Sequence, residues 1–436
     1  MKVAIGVAIA RLLTSYGLRD SRRLLARIAR RWRGGPAELH YFHQADDPYS
    51  HLLVQVLPGL VANYQVNLHV HMVTAPALSA APDRERLQAW SRRDATQLAD
   101  DLGLTFTDSG EQPLSRLLVL AERALTAALC MEDVLARFNV IGAALWSRDE
   151  AALLLLAGAK DSYPPTPQFV EGNRLRTRKG HYLGGMLWFD GEWYWGIDRL
   201  PHLQRRLAQL NLDRVADAPF VVPQREVQCR AKPRNSERPQ LHFYCSLRSP
   251  YTYLAVPRMR KLALHYGADL RLRPLLPMVM RGLPVPLDKR LYIVRDCKRE
   301  ADRLDLPFGR IADPLGAPTE RGMAVLFKAM EQDKNAEAFL ESFMRGVFSE
   351  GIDAGSESGL LKLAQRAGLS QSLVQDALGD DRWRVEAEAN RSEMLALGLW
   401  GVPSFRVDQQ PIQWGQDRLW LIERDLIAAD PTKRGA

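Results

Sequence analysis

With 436 residues, 46% hydrophobic and 25% charged, the chain is long enough for two or three domains with sizeable cores, and its composition is neither disordered nor fibrous. Its net charge of +8 is matched by residues 1–33 alone, where Lys2 and eight arginines face the single acid Asp20. The remainder is balanced, which argues against a nucleic-acid groove. Cys130, Cys229, Cys245 and Cys297 form no Cys-x-x-Cys pair and no disulfide framework, so free, mostly buried thiols in a reducing, cytoplasmic setting are expected.

In chain order, the apolar run from Val3 to Ala10 comes first and is closed by Arg11. It is too short to span a bilayer, and no convincing small-residue cleavage site follows it. Leu12 to Trp32 mixes Leu, Ile and Ala with arginines. Two readings fit residues 1–36: a solvated basic arm, helical or partly disordered, or a helix lying on an anionic membrane through residues 1–33. The second reading would make the protein peripheral to the inner membrane face.

Self-similarity organises the rest. LHYFHQADDPYSHL (39–52) and LHFYCSLRSPYTYL (241–254) align at an offset of 202, and at least fifteen identities accumulate over the 68 positions to Phe106 and Phe308. Chance would give roughly four. A second block, WGIDRL at 195–200 and WGQDRL at 414–419, matches at an offset of 219. A repeat this long is a duplicated domain. The boundaries read as a basic arm (1–36), a first repeat (37–212), a polar linker (213–238), a second repeat (239–428) and a tail (429–436).

In the second repeat, LHFYC (241–245) predicts a strand. Ser249 as N-cap and Pro250 at the first helical position open an amphipathic helix that Gly267 ends. ADLRLRPLL (268–276) alternates as a second strand, and residues 287–397 read mostly as helices. LWGVPSFRV, a turn at 408–411 and IQW then predict a strand hairpin, and DRLWLIERDLI a closing helix. The fold class is α/β: two thioredoxin-like domains, each with a helical insertion.

FYCSLRSPYTYLA (243–255), YIVRDCKREADRLDLPF (292–308), FMRGVFSEGID (343–353), GVPSF (401–405) and WGQDRLWLIE (414–423) resemble, in that order and spacing, the DsbA-like thioredoxin superfamily. The similarity is to its branch of 2-hydroxychromene-2-carboxylate isomerases and kappa-class glutathione transferases, here in tandem duplication. Ser249 stands where disulfide-exchanging relatives carry the first cysteine of Cys-x-x-Cys, and Thr252 where they carry the second. Without sulfur at either end, dithiol exchange is not expected. The resemblance implies that Ser249 faces the sulfur of glutathione, the expected co-substrate. A hydroxyl at a helix N-terminus can donate to a thiolate, and the dipole favours the same anion. The resemblance further implies a cis peptide before Pro403, with the Val402 backbone pairing with glutathione like an added strand. It puts Gln416 and Asp417 at the γ-glutamyl end, where Asp417 pairs with the ammonium or caps the last helix, and Lys289 near the glycine carboxylate. Where relatives usually show Gly-Asn-x-Pro-Pro, this chain has Gly282-Leu283-Pro284-Val285-Pro286.

The first repeat reads as catalytically degenerate. The constant offset gives Asp47 for Ser249, and alignment backward from Trp195 gives Gly184 for Pro403. A carboxylate at that helix start would repel a thiolate. Relatives are commonly dimers, so the first repeat is expected to stand in for a second subunit, as an intramolecular pseudo-dimer. His43, His51, His69 and His71 read as ordinary partly buried or surface histidines, with no metal site expected. RLRTRKG (174–180) reads as a solvated loop. The leading function is a glutathione-dependent isomerase or transferase acting on a small electrophile. A DsbA-family oxidoreductase-like protein lacking Cys-x-x-Cys and a non-catalytic thioredoxin-fold binding or scaffold protein remain as alternatives.

Overall fold

The computed structural model describes residues 2–34, 36–158, 167–230 and 238–429. Of the expected linker, residues 231–237 lie outside the described residues, as does the tail beyond Ala429. The chain divides into two units. The first unit comprises residues 20–224, and the second comprises residues 1–19 with 225–436. The basic arm is therefore shared between them.

The chain opens with helices α1 (Lys2–Leu13) and α2 (Tyr16–Arg33). In the first unit, strand β1 (Ala37–His43) leads through α3 (Pro48–Asn63) to β2 (Val66–Met72). A helical stretch follows: α4 (Arg84–Leu102), α5 (Ser115–Ala128), α6 (Val134–Trp146), α7 (Glu150–Ala157) and α8 (Pro167–Arg178). The hairpin β3 (Met186–Phe189) and β4 (Glu192–Trp195) and helix α9 (Leu200–Ala208) complete it. The sheet order is β2-β1-β3-β4, with β1 and β2 parallel and the other pairs antiparallel. Alternation along β1 turns Leu39 and Tyr41 into a core shared with Leu53, Leu57 and Leu60 of α3 and Leu203 of α9, all buried.

The second unit follows the same order. Strand β5 (Gln240–Cys245), α10 (Pro250–Tyr266) and β6 (Asp269–Pro274) come first. The inserted helices are α11 (Leu287–Arg303), α12 (Ala317–Glu331), α13 (Ala336–Arg345), α14 (Glu357–Arg366), α15 (Gln371–Leu378) and α16 (Trp383–Ala396). Hairpin β7 (Ser404–Val407) and β8 (Gln413–Trp414) and helix α17 (Leu419–Ala428) close the unit. Its sheet order is β6-β5-β7-β8, with the same directions. Phe243 and Phe405 stack across β5 and β7 in a core with Met259, Leu262 and Ile422. Helix α1 packs on this unit: Thr14 is buried, and its hydroxyl lies 3.4 Å from the Gly309 carbonyl.

Register corrects one alignment. Leu39 pairs with Phe189 and Leu241 with Val407, while Met186 pairs with Trp195 and Ser404 with Trp414. The strand after the insertion therefore matches at an offset of 218, and the second hairpin is one residue longer. Gly185, not Gly184, occupies the position of Pro403. The carbonyls of Gly185 and Pro403 accept from the equivalent amides of Gly196 and Gly415, each at 2.9 Å. The two-residue turn Asp190-Gly191, with both φ positive, makes the first hairpin tight.

Candidate functional site

Ser249 caps α10 with extended backbone, and its Oγ accepts from the Thr252 amide at 3.2 Å. The hydroxyl proton points to the Val402 carbonyl at 3.5 Å, the long limit of a hydrogen bond. The Val402–Pro403 peptide is cis. Ser249, Val402 and Pro403 therefore share one point, at the positive end of a seventeen-residue helix. Among the described residues, the half-buried Val402 has no hydrogen-bond partner for its amide. The surrounding string has local reasons. A Cβ on Gly401 would lie 2.1 Å from the Trp414 ring, and Ser404 Oγ closes the turn on the Gly401 carbonyl at 2.7 Å.

Behind this point lies a buried polar network. Gln416, 1% exposed, donates through Nε2 to Glu300 Oε2 at 3.1 Å and to Asp417 Oδ1 at 2.5 Å. Its Oε1 accepts from Arg258 Nη1 at 2.6 Å, and Arg303 pairs with Glu300 at 2.9 Å. Burial pushes the Arg258 guanidinium down from its ordinary value. Both ends of the Gln416 amide are thus engaged within the protein, and Asp417 is less buried than Gln416 and Glu300. Tyr251, in the first turn of α10, donates to Asp296 Oδ2 at 2.8 Å. Lys289 sits in the first turn of α11, seven residues before Asp296 and eleven before Glu300, on the same helix face. Burial lowers its ammonium to about 8.

Sequence reasoning missed Arg258, Glu300 and the Tyr251–Asp296 bond. The last had a signal, because Tyr49 and Asp94 are identical at the constant offset and bond at the same 2.8 Å. Arg258 and Glu300 had none, since Val56 and Leu98 stand at their positions in the first unit. None of the four cysteines lies at the site's helix start. Cys245 and Cys297 are buried in the core, and burial pushes the Cys245 thiol up strongly.

The equivalent point in the first unit is different. Asp47 caps α3, accepting from Ser50 N at 3.0 Å and Ser50 Oγ at 2.7 Å. Burial pushes its carboxyl up to about 6, against those hydrogen bonds. Gly185 packs so closely that an added Cβ would lie 2.7 Å from Asp47 Oδ2, and its φ of +60° disfavours any other residue.

The histidines are less ordinary than expected. His40 Nδ1 lies 2.9 Å from His71 Nε2, and the His40 and His69 rings stack at 5.1 Å. Among the described residues, no group of three or more His, Cys, Asp or Glu is placed to hold a metal ion. Arg176 of the 174–180 stretch is buried and bonds the Thr74 carbonyl at 3.1 Å, so that stretch is not wholly solvated.

Comparison with known proteins bears on the second unit. Residues 240–426 match the family described as DSBA-like thioredoxin domain. A 2-hydroxychromene-2-carboxylate isomerase of Sphingobium xenophagum is 27% identical over 196 residues, covering 43% of this chain and 97% of that protein. The isomerase of the same name from Pseudomonas putida is 24% identical over 188 residues, covering 42% of this chain and 91% of that one. A solved 2-hydroxychromene-2-carboxylate isomerase structure is 24% identical, covers 43% of this chain and 94% of its own, and has a TM-score of 0.37. Over residues 240–426 the second unit is therefore similar to DSBA-like thioredoxin domains.

Proposed function

We propose that the protein is a glutathione-dependent isomerase of the DsbA-like superfamily, with its active site in the second unit. The carrying observation is the Ser249 hydroxyl, capping α10 and only loosely bonded to Val402 beside Pro403. A proton held at 3.5 Å is readily redirected to an incoming anion. The residues present fit a thiol tripeptide: a hydroxyl donor, a helix N-terminus, the Val402 amide for an extended backbone, and a cation at Lys289.

Glutathione, when bound, supplies a thiolate nucleophile able to add reversibly to an unsaturated electrophile, so that rotation about the former double bond can follow. Ser249 donates its proton to the sulfur in place of the Val402 carbonyl, and the α10 dipole lowers the thiol pKa in the same direction. Val402 pairs with the cysteinyl backbone. Asp417 receives the γ-glutamyl ammonium, held in place by Gln416, which acts as its support. Lys289, still protonated at neutral pH, attracts the glycine carboxylate. Leu283 supplies no polar group at its position.

The matching sheet orders support descent of both units from one duplicated thioredoxin-like domain, the first now a non-catalytic companion. The bounds 37–212 and 239–428 serve for these repeats. A reducing, cytoplasmic setting suits both the thiol ligand and the free cysteines. Thermal unfolding with added glutathione tests the reading, because a ligand bound only by the folded state raises Tm. A rise in Tm for the wild type, together with lower turnover for Ser249→Ala, is expected. No shift at saturating thiol would favour the non-catalytic alternative.

A further inference from the structure

Helix α2 is mounted in an unusual orientation. Within the first unit, Arg23 pairs with Glu192 and Arg30 with Asp190, each at 2.9 Å, on and beside the β3–β4 hairpin. Residues 23 and 30 are seven apart and share one face of the helix. About half a turn away, at 100° per residue, lie Leu25, Ile28 and Trp32. They are 66%, 42% and 89% exposed, with Leu24 beside them at 46%. The ordinary arrangement is reversed: cations dock the helix onto acids of its own unit, and the apolar stripe faces outward.

The chemistry around the stripe identifies what covers it. Arg22 and Arg27 are exposed to either side of it, outside the two ion pairs that dock the helix. Residues 1–33 carry a net +8 and the rest of the chain is balanced, so the positive field is concentrated on the segment that bears the stripe. A protein partner would have to match both a narrow apolar ridge and its cationic margins. An anionic bilayer supplies both at once: apolar chains beneath, negative headgroups beside, and an interfacial level suited to tryptophan. No described helix is long and apolar enough to cross a membrane. We propose that the Leu24–Trp32 face of α2 docks the protein onto anionic lipid, lying in the plane of the interface with Arg23 and Arg30 turned away from it.

The test is co-sedimentation of the full chain with vesicles of phosphatidylcholine alone or mixed with phosphatidylglycerol. Binding to the mixed vesicles only, weakened by salt, is expected. Leu25→Glu with Ile28→Glu should reduce partitioning by about tenfold or more, and Arg22→Glu with Arg27→Glu by a similar factor. Both pairs are exposed, so circular dichroism and melting should be unchanged. Lipid-dependent quenching by bromolipids should disappear in Trp32→Phe. Equal binding to uncharged vesicles, or binding indifferent to the Leu25/Ile28 pair, would overturn the proposal. So would a concentration-dependent dimer abolished by the same pair with no vesicle binding, which would make a second copy the occupant.

Discussion

The two units share sheet order, strand register and a Tyr–Asp bond at the helix start, yet they treat the space behind that start in opposite ways. In the second unit Arg258, Glu300 and Gln416 form a buried polar network ending on Asp417. In the first unit the same three positions hold Val56, Leu98 and Ile197, all buried. The fold therefore does not require the network. A buried charged network is often no more stable than a well-packed apolar core of similar volume. Its presence only where Ser249 and Pro403 also stand fits a role in holding Asp417 toward a ligand. The first unit keeps Asp198 at the place of Asp417 but lacks the network, Ser249 and Pro403 together, and fills the network's space with hydrocarbon.

This contrast can be broken by converting one unit into the other. Glu300→Leu alone should destabilise the second unit by about 3–5 kcal/mol, because Arg303 and Gln416 lose their buried acceptor and Arg258 loses a nearby countercharge. Adding Arg258→Val and Gln416→Ile should recover most of that loss while raising the KM for glutathione. Denaturant unfolding and turnover on the same samples check both halves. A triple variant no more stable than the single one would mean that the polar network is itself needed for folding.

Acid should separate the units next. Burial lowers His40 and His43 to about 3 and His51 and His71 to about 4, all in the first unit. The unfolded chain takes up those protons near 6.5 and the folded unit does not. Stability contributed by the neutral histidines is therefore present above about 6.5 and lost as pH falls toward 4. Asp47 and Glu122 run the other way, since burial raises their carboxyls to about 6 and about 7 and they destabilise the fold only above about 4, but they are two groups against four. Hydrogen exchange at pH 7 and pH 5 should show protection lost mainly in residues 37–212. Equal loss in both units would contradict the assignment.

The smallest effect is expected at Asp47 itself. Asp47→Asn keeps an acceptor for Ser50 and removes a carboxylate whose ionisation burial opposes. The first unit should gain up to about 1 kcal/mol at pH 7, with turnover unchanged. A change in kcat would give the first unit a catalytic part.

Much of this was legible in the sequence, and the failures have physical causes. The strands, the Ser249 and Asp47 caps and the helical insertions follow from alternation, capping chemistry and the internal repeat. The position opposite Pro403 was misplaced by one residue, because a single extra turn residue in a hairpin leaves both flanking blocks aligned. The polar network was invisible because Arg258, Glu300 and Gln416 come from three distant elements, and a buried arginine reads in sequence like an exposed one. The arm's charge was plain, but which face of α2 turned outward depended on Glu192 and Asp190, some 160 residues away.

The central claim is that Ser249 stabilises a thiolate at the start of α10. It is tested most directly by titrating the thiol of bound glutathione through thiolate absorbance, in wild type and in Ser249→Ala. In the wild type the pKa should lie clearly below the free value of about 8.5, and in the variant it should rise by about 1–2 units. Bound glutathione with the same thiol pKa in both proteins would contradict the assignment of Ser249.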